Sequence, residues 1–186
     1  PFIHAAGVVL NGKGYLLTGY SGSGKSTLAS ACVQNGFGFL AEDYLFVAET
    51  NGKLELRGVP RSLKLCRGAI PFFSEFAELP AEKQLNGEYK IETIQTYPET
   101  QKITRALYAG IILLMANDHR EPVELIASEP LLEHIIDSLM FDGKGMLMRH
   151  RQLYERLVEN GAIQIGKCKT PQQRAALLSR IIERQS

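Results

Sequence analysis

Gly19-Tyr20-Ser21-Gly22-Ser23-Gly24-Lys25-Ser26-Thr27 decides how the rest of the chain is read. The stretch matches the phosphate-loop pattern Gly-x-x-x-x-Gly-Lys-[Ser/Thr] at every specified position. Its glycines let the backbone curl so that successive N–H groups converge. The start of a following helix adds its own unpaired N–H groups, which completes a concave anion site. Lys25 is then positioned for the β- and γ-phosphates of a nucleotide, and the Ser26 hydroxyl for Mg²⁺. Tyr15-Leu16-Leu17-Thr18 reads as an apolar strand entering the loop. Residues 25–34 read as a helix leaving it, and Asn35-Gly36 as its stop. Gly19, Ser21, Gly22, Ser23, Gly24, Lys25, Ser26 and Thr27 are therefore the candidate nucleotide-binding residues, with ATP and Mg²⁺ as the expected ligands.

Outward from the loop, residues 2–10 are apolar and end at Asn11-Gly12, a hairpin signal. The strand that feeds the loop is thus expected to be the second arm of an antiparallel pair. That predicts an α/β protein with a mixed sheet rather than a parallel one. After the first helix, residues 37–41 read as a short buried strand that delivers Glu42-Asp43 at its end, where ligands usually meet an α/β sheet. A second hairpin is expected around Asn51-Gly52. Residues 66–88 are the least regular, with Phe72, Phe73 and Phe76 packing a short helix and Asn86-Gly87 turning the chain. Residues 89–96 read as a strand. Residues 103–115 read as a central strand, with residues 121–126 pairing with it. Helices are expected from Ser128 to about Met140 and from about Met148 to Val158, and residues 162–165 form a short strand. Thr170-Pro171-Gln172-Gln173 is a capping box for a last helix whose Ala175, Leu178 and Ile182 share one face.

The 186 residues suit one domain with a sizeable core, and the 45% hydrophobic and 22% charged content is ordinary for a globular protein. The chain begins at Pro1 rather than Met, so a piece of a longer protein is expected. A net charge of +1 gives no global field toward nucleic acid or anionic membrane. No apolar run reaches membrane-spanning length. Cys32, Cys66 and Cys168 fit neither a zinc pattern nor a disulfide framework, and a reducing cytoplasm is the expected compartment.

Two apolar runs end in carboxylates able to hold a metal: residues 39–41 before Glu42-Asp43, and residues 111–116 before Asn117-Asp118. The first offers a metal ligand and a base side by side. The second resembles an ATPase strand, and leaves a small-molecule kinase or simple NTPase using Asp118 as the alternative. Arg57, Arg61, Lys64 and Arg105 are candidate phosphate clamps. His119, His134 and His150 share no ligand spacing.

His4, the hairpin, Leu16-Leu17-Thr18-Gly19, Ser21-Gly22-x-Gly24-Lys25-Ser26, Gly36 and Leu40-Ala41-Glu42-Asp43 resemble the C-terminal catalytic domain of HPr kinase/phosphorylase, at matching spacing. The resemblance is close over residues 2–47. It implies the phosphoenolpyruvate carboxykinase-like nucleotide-binding fold, with the loop in a mixed sheet. Glu55-Leu56-Arg57-Gly58 resembles the family's Glu-x-Arg-Gly motif, whose Glu helps bind metal. Residues 58–65 look more like the divergent HPr-kinase-like proteins of bacterial biosynthetic clusters, some of which phosphorylate a peptide serine. The chain departs from the family in carrying Glu42 where the catalytic Asp of an Asp-Asp pair usually stands. The resemblance implies an ATP- and Mg²⁺-dependent kinase acting on a serine of a protein or peptide. Lys25 and the loop would hold phosphates, and Ser26, Asp43 and Glu55 the metal. Glu42 or Asp43 would take the proton, and His4 would border the γ-phosphate. It also implies a ring-like homo-oligomer. The Glu42 departure keeps a second alternative, a nucleotide-sensing module without turnover.

Overall fold

Two Asn-Gly turns set the first half of the sheet. The computed structural model describes residues 2–85, 89–115, 123–125, 129–137, 144–166 and 168–184. Strand β1 (Phe2–Ile3) is short; β2 (Ala6–Leu10) and β3 (Lys13–Thr18) form the expected antiparallel hairpin. Asn11 and Gly12 both have positive φ, 52° and 76°, as a two-residue turn matching the strand twist requires. Helix α1 (Lys25–Gln34) follows the loop and ends as predicted. The Gly36 N–H donates to Val33 O and the Phe37 N–H to Cys32 O, the paired bonds of a Schellman stop. Strand β4 (Gly38–Ala41) then pairs with β2. The second hairpin is β5 (Leu45–Thr50) and β6 (Lys53–Arg57), closed at Asn51-Gly52.

The described residues between 64 and 101 build a second, smaller layer. Strands β7 (Lys64–Cys66), β8 (Ala81–Lys83) and β9 (Tyr89–Glu92) form a three-stranded antiparallel sheet, with short 3₁₀ turns between β7 and β8 and after β9. The expected helix around the phenylalanines is a pair of 3₁₀ turns instead, and Pro71 inside the first of them explains why no α-helix propagates. Phe73 and Phe76 are buried and stack at 5.8 Å, while Phe72 faces outward.

Strand β10 (Arg105–Leu114) is the central strand the sequence predicts. One of its edges pairs in parallel with β3; the other is shared by β6, antiparallel, and β12 (Ala162–Ile165), parallel. Strand β11 (Val123–Leu125) therefore finds no place beside β10 and adds outside β12, a correction to the expected pairing. The main sheet is mixed and curled, with order β1-β5-β6-β10-β3-β2-β4 and β12-β11 continuing from β10. Helices α2 (Glu129–Asp137), α3 (Lys144–Val158) and α4 (Pro171–Arg184) complete the described elements; α3 begins four residues earlier than predicted. Asn86-Gly87, Asp118, His119, Ser128 and Met140 lie outside the described residues.

Strands β2, β3, β4 and β12 and the C-terminal half of β10 bury both faces, which is why their sequences read as apolar runs. Tyr15, Leu17, Ile112, Leu114, Ile163 and Ile165 join α1 and α4 on one face. Leu16, Ile111 and Ala162 join Leu131, Leu132 and Tyr154 of α2 and α3 on the other. Leu178 and Ile182 of α4 are at most 1% exposed, and burying such a side chain is worth about 1.5–3 kcal/mol. Among the described residues no helix is long and apolar enough to cross a membrane.

Candidate active site

Topology collects the candidate residues at one rim. Strands β3, β4, β10 and β12 all run in the same direction, so their C-terminal ends open on the same side. The glycine-rich loop leaves β3 there, and Glu42-Asp43 leave β4 there. His4 arrives two residues before Ala6, which is paired with Leu17 near the end of β3. The chain beyond Leu114 also leaves β10 at this rim, although Asp118 lies outside the described residues.

The loop needs glycine where it leaves the strand. Gly19 has φ 145°, and a Cβ there would sit 2.6 Å from Leu114 O. Helix α1 starts at Gly24, whose carbonyl accepts the Leu28 N–H, and its first turn carries no acidic residue. Its end is thus open to an anion. The Lys25 ammonium folds back over the loop and donates to Gly19 O at 2.9 Å and Tyr20 O at 3.3 Å. Burial pulls its pKa down from the ordinary lysine value, and the Asp43 charge opposes that shift.

The two neighbouring carboxylates face different surroundings. Glu42 is 8% exposed; its Oε2 accepts the Lys64 N–H at 2.8 Å and its carboxyl accepts the Ser26 hydroxyl. Burial pushes it up to about 7, with those two hydrogen bonds pulling the other way. The Asp43 side chain is 55% exposed, with Oδ1 3.7 Å from His4 Nε2. The His4 imidazole holds it below the usual carboxylate range, against the effect of burial. The Ser26 hydroxyl and the Lys25 charge thus come together with Glu42, Asp43 and His4.

Glu55 is placed elsewhere. It lies opposite Leu107, which is level with Lys13 at the far end of β3, and Arg57 Nε donates to it at 2.5 Å. Arg105, two residues further from the rim and opposite Arg57, is equally removed. Arg61 and Lys64 instead line a cavity of about 350 Å³ beside Glu42 and Asp43. Thr27 faces a second cavity, about 190 Å³, between the loop and residues 168–171. A larger cavity of about 690 Å³ next to the three-stranded sheet touches none of the predicted site residues.

Two contributors escape a reading of the sequence. Lys90 of β9 lines the acidic cavity, and its charge lowers the proton affinity of both carboxylates. Arg174 of α4 is 6% exposed; its guanidinium donates to Ser23 O at 3.1 Å, Ile165 O at 2.6 Å and Met115 O at 3.3 Å. One side chain thereby ties the loop to the ends of β10 and β12. Its signal was present: positions 174, 178 and 182 follow one helix face, so an arginine occupies the apolar stripe.

No protein-family model matches the sequence, and no curated protein matches it. Among solved structures, the chain is similar to an Hpr(Ser) kinase/phosphatase from Coxiella burnetii, at TM-score 0.55 and 12% identity over all of this chain and 92% of the other. The likeness is one of fold: a mixed α/β architecture with a curled mixed sheet.

Proposed function

We propose that the chain is an ATP- and Mg²⁺-dependent kinase that transfers the γ-phosphate to a hydroxyl, with a serine of a protein or peptide as acceptor. The observation that carries this reading is the meeting of Ser26 with Glu42 and of His4 with Asp43 at the loop. The fold likeness to a kinase/phosphatase supports it.

The residues present suit the nucleotide and metal. The loop N–H groups, the start of α1 and Lys25 form a cationic cradle for phosphates. Among the described residues no group of three or more His, Cys, Asp or Glu is placed to hold a metal alone. A hydroxyl with one or two carboxylates is what Mg²⁺ takes when phosphates supply further ligands. Ser26 and Glu42 supply that set, with Asp43 beside them. Bound Mg²⁺ would neutralise charge on the phosphates.

The two carboxylates divide the work, and the division reverses the order expected from the resemblance. Glu42 is enclosed and committed to Ser26 and the Lys64 N–H, so it orients the metal ligand. Asp43 is open to the acceptor cavity and kept ionised by His4, so it takes the proton. The acceptor oxygen attacks the γ-phosphorus and its proton passes to an Asp43 carboxylate oxygen. The new O–P bond forms as the bond from the γ-phosphorus to the bridging oxygen breaks, and the pair of electrons leaves with ADP. Positioning and charge neutralisation supply most of the rate.

Lys25→Ala tests the cradle: calorimetry should show ATP affinity falling by more than about 100-fold. Unchanged affinity overturns the assignment of the loop. Asp43→Asn should abolish transfer of labelled phosphate while ATP still binds, and Glu42→Gln should weaken the Mg²⁺ dependence of binding. Loss of transfer in Asp118→Asn with an active Asp43→Asn would favour the NTPase alternative.

A further inference from the structure

The cavity of about 350 Å³ beside Glu42 and Asp43 contains no residue of the glycine-rich loop in its lining, and part of that lining is basic. Arg61, Lys64 and Lys90 line it together with the two carboxylates. Lys64 is engaged, its Nζ 3.4 Å from Gln84 Oε1 and 4.0 Å from Glu82 Oε2. Arg61 and Lys90 form no salt bridge within the described residues. Apolar side chains continue the surface outward: Tyr44, Phe46 and Val59 line the same cavity and are 42%, 40% and 52% exposed. Phe46 packs against Phe2, also exposed, with the rings tilted by 41° and their centroids 4.2 Å apart. Charged and apolar side chains lining one cavity suit a peptide segment, which carries both kinds of side chain.

We propose that this cavity is the acceptor site, and that it selects a peptide segment whose hydroxyl residue is flanked by carboxylates, with an apolar residue seated on Phe46 and Phe2. The inference rests on the kinase reading above and adds the acceptor's chemistry. Carboxylates beside the hydroxyl would meet Arg61 and Lys90, and the hydroxyl would lie toward Asp43. The two cations also offset the repulsion that Glu42 and Asp43 exert on an acidic chain. A basic segment would meet those cations unpaired, so the basic lining discriminates by repulsion as well as attraction.

The test uses three fluorescein-labelled decapeptides, each with one central Ser and one Leu, flanked by Glu, Gln or Lys. Binding is read by anisotropy at low salt, with and without Mg²⁺ and a non-hydrolysable ATP analogue. The Glu peptide should bind about 10-fold more tightly than the Gln peptide, and the Lys peptide more weakly than either. Lys90→Ala with Arg61→Ala should erase the preference while the melting temperature stays that of the parent. Lys90→Glu should shift the preference toward the Lys peptide. Equal binding of the three peptides, no binding of any, or a Glu preference that survives the double substitution overturns the proposal. Affinity for the ATP analogue is read separately. Its absence counts against the kinase reading, whereas the peptide preference without nucleotide is still decided by the same comparison.

Discussion

The two sides of the glycine-rich loop are built on opposite principles. Toward α4, the polar side chain is spent on the protein itself: Arg174 gives its terminal donors to the carbonyls of Ser23, Met115 and Ile165. Toward β4 the polar groups face one another across an open cavity, and Asp43, Arg61 and Lys90 are available to a ligand. One side holds the loop still, and the other receives. A buried cation is costly to desolvate, and burial indeed pulls Arg174 below the ordinary arginine value. Its carbonyl partners are the compensation, and they lie at the three chain segments whose relative position defines the cradle.

That asymmetry can be broken most severely at Arg174. Replacing it with Ala removes the side-chain donor from the Ser23, Met115 and Ile165 carbonyls, of which Ile165 O keeps the Met115 N–H, and opens a void under the loop. The loss should be about 3–4 kcal/mol of unfolding free energy, measured by denaturant titration. Arg174→Lys should recover less than half, because one ammonium cannot reproduce the guanidinium fork. Asp43→Asn should cost much less, well under ~1 kcal/mol at neutral pH, because its contact with His4 is half exposed to solvent. Equal losses at Arg174 and Asp43 would show that the two sides do not differ as described.

The next test lies within the receiving side. Glu42 is the exception there, buried like Arg174 but ionisable near neutrality. Its carboxyl holds a proton more tightly folded than unfolded, so its contribution is fully present below the unfolded value of 4.5 and is lost as pH rises through about 7. Glu42→Gln should therefore match the parent near pH 5 and exceed it by ~2–3 kcal/mol at pH 8, in the metal-free protein. Asp43 carries the opposite sign: its proton affinity is lowered, so its contribution is present at neutral pH and fades on acidification. Parallel stability curves for the parent and Glu42→Gln between pH 5 and 8 would remove the buried-acid account.

The sequence disclosed the holding side poorly and the receiving side well, for physical reasons. Asn11-Gly12 and Asn51-Gly52 specify turns by local conformation, so both hairpins were legible. The loop, α1 and the Glu42-Asp43 strand end follow from contiguous residues. Which of the two carboxylates is enclosed was not legible, because a backbone partner of Glu42, the Lys64 N–H, lies twenty-two residues away. Glu55 looked like a metal candidate by motif, but the β-register carries it to the level of Lys13. The 3₁₀-rich stretch around Pro71 has no period to read. Arg174 is the largest omission: Ala175, Leu178 and Ile182 mark the buried stripe of α4, but nothing local says that an arginine one turn before Leu178 turns inward, because its carbonyl partners lie on three other segments.

The smallest test asks how far Arg174 depends on the start of its own helix. Thr170 caps α4: the Gln173 N–H donates to its Oγ1 at 3.2 Å, and the Arg174 N–H to its carbonyl at 3.2 Å. Thr170→Ala removes the side-chain acceptor and should cost about 1 kcal/mol. If the cap also fixes the Arg174 backbone, the first turn will fray and weaken the guanidinium contacts. The Thr170→Ala, Arg174→Ala pair should then cost less than the sum of the single changes by about 0.5–1 kcal/mol. Strict additivity would mean that the three carbonyls alone orient Arg174, and that the holding side would survive a loosened helix start.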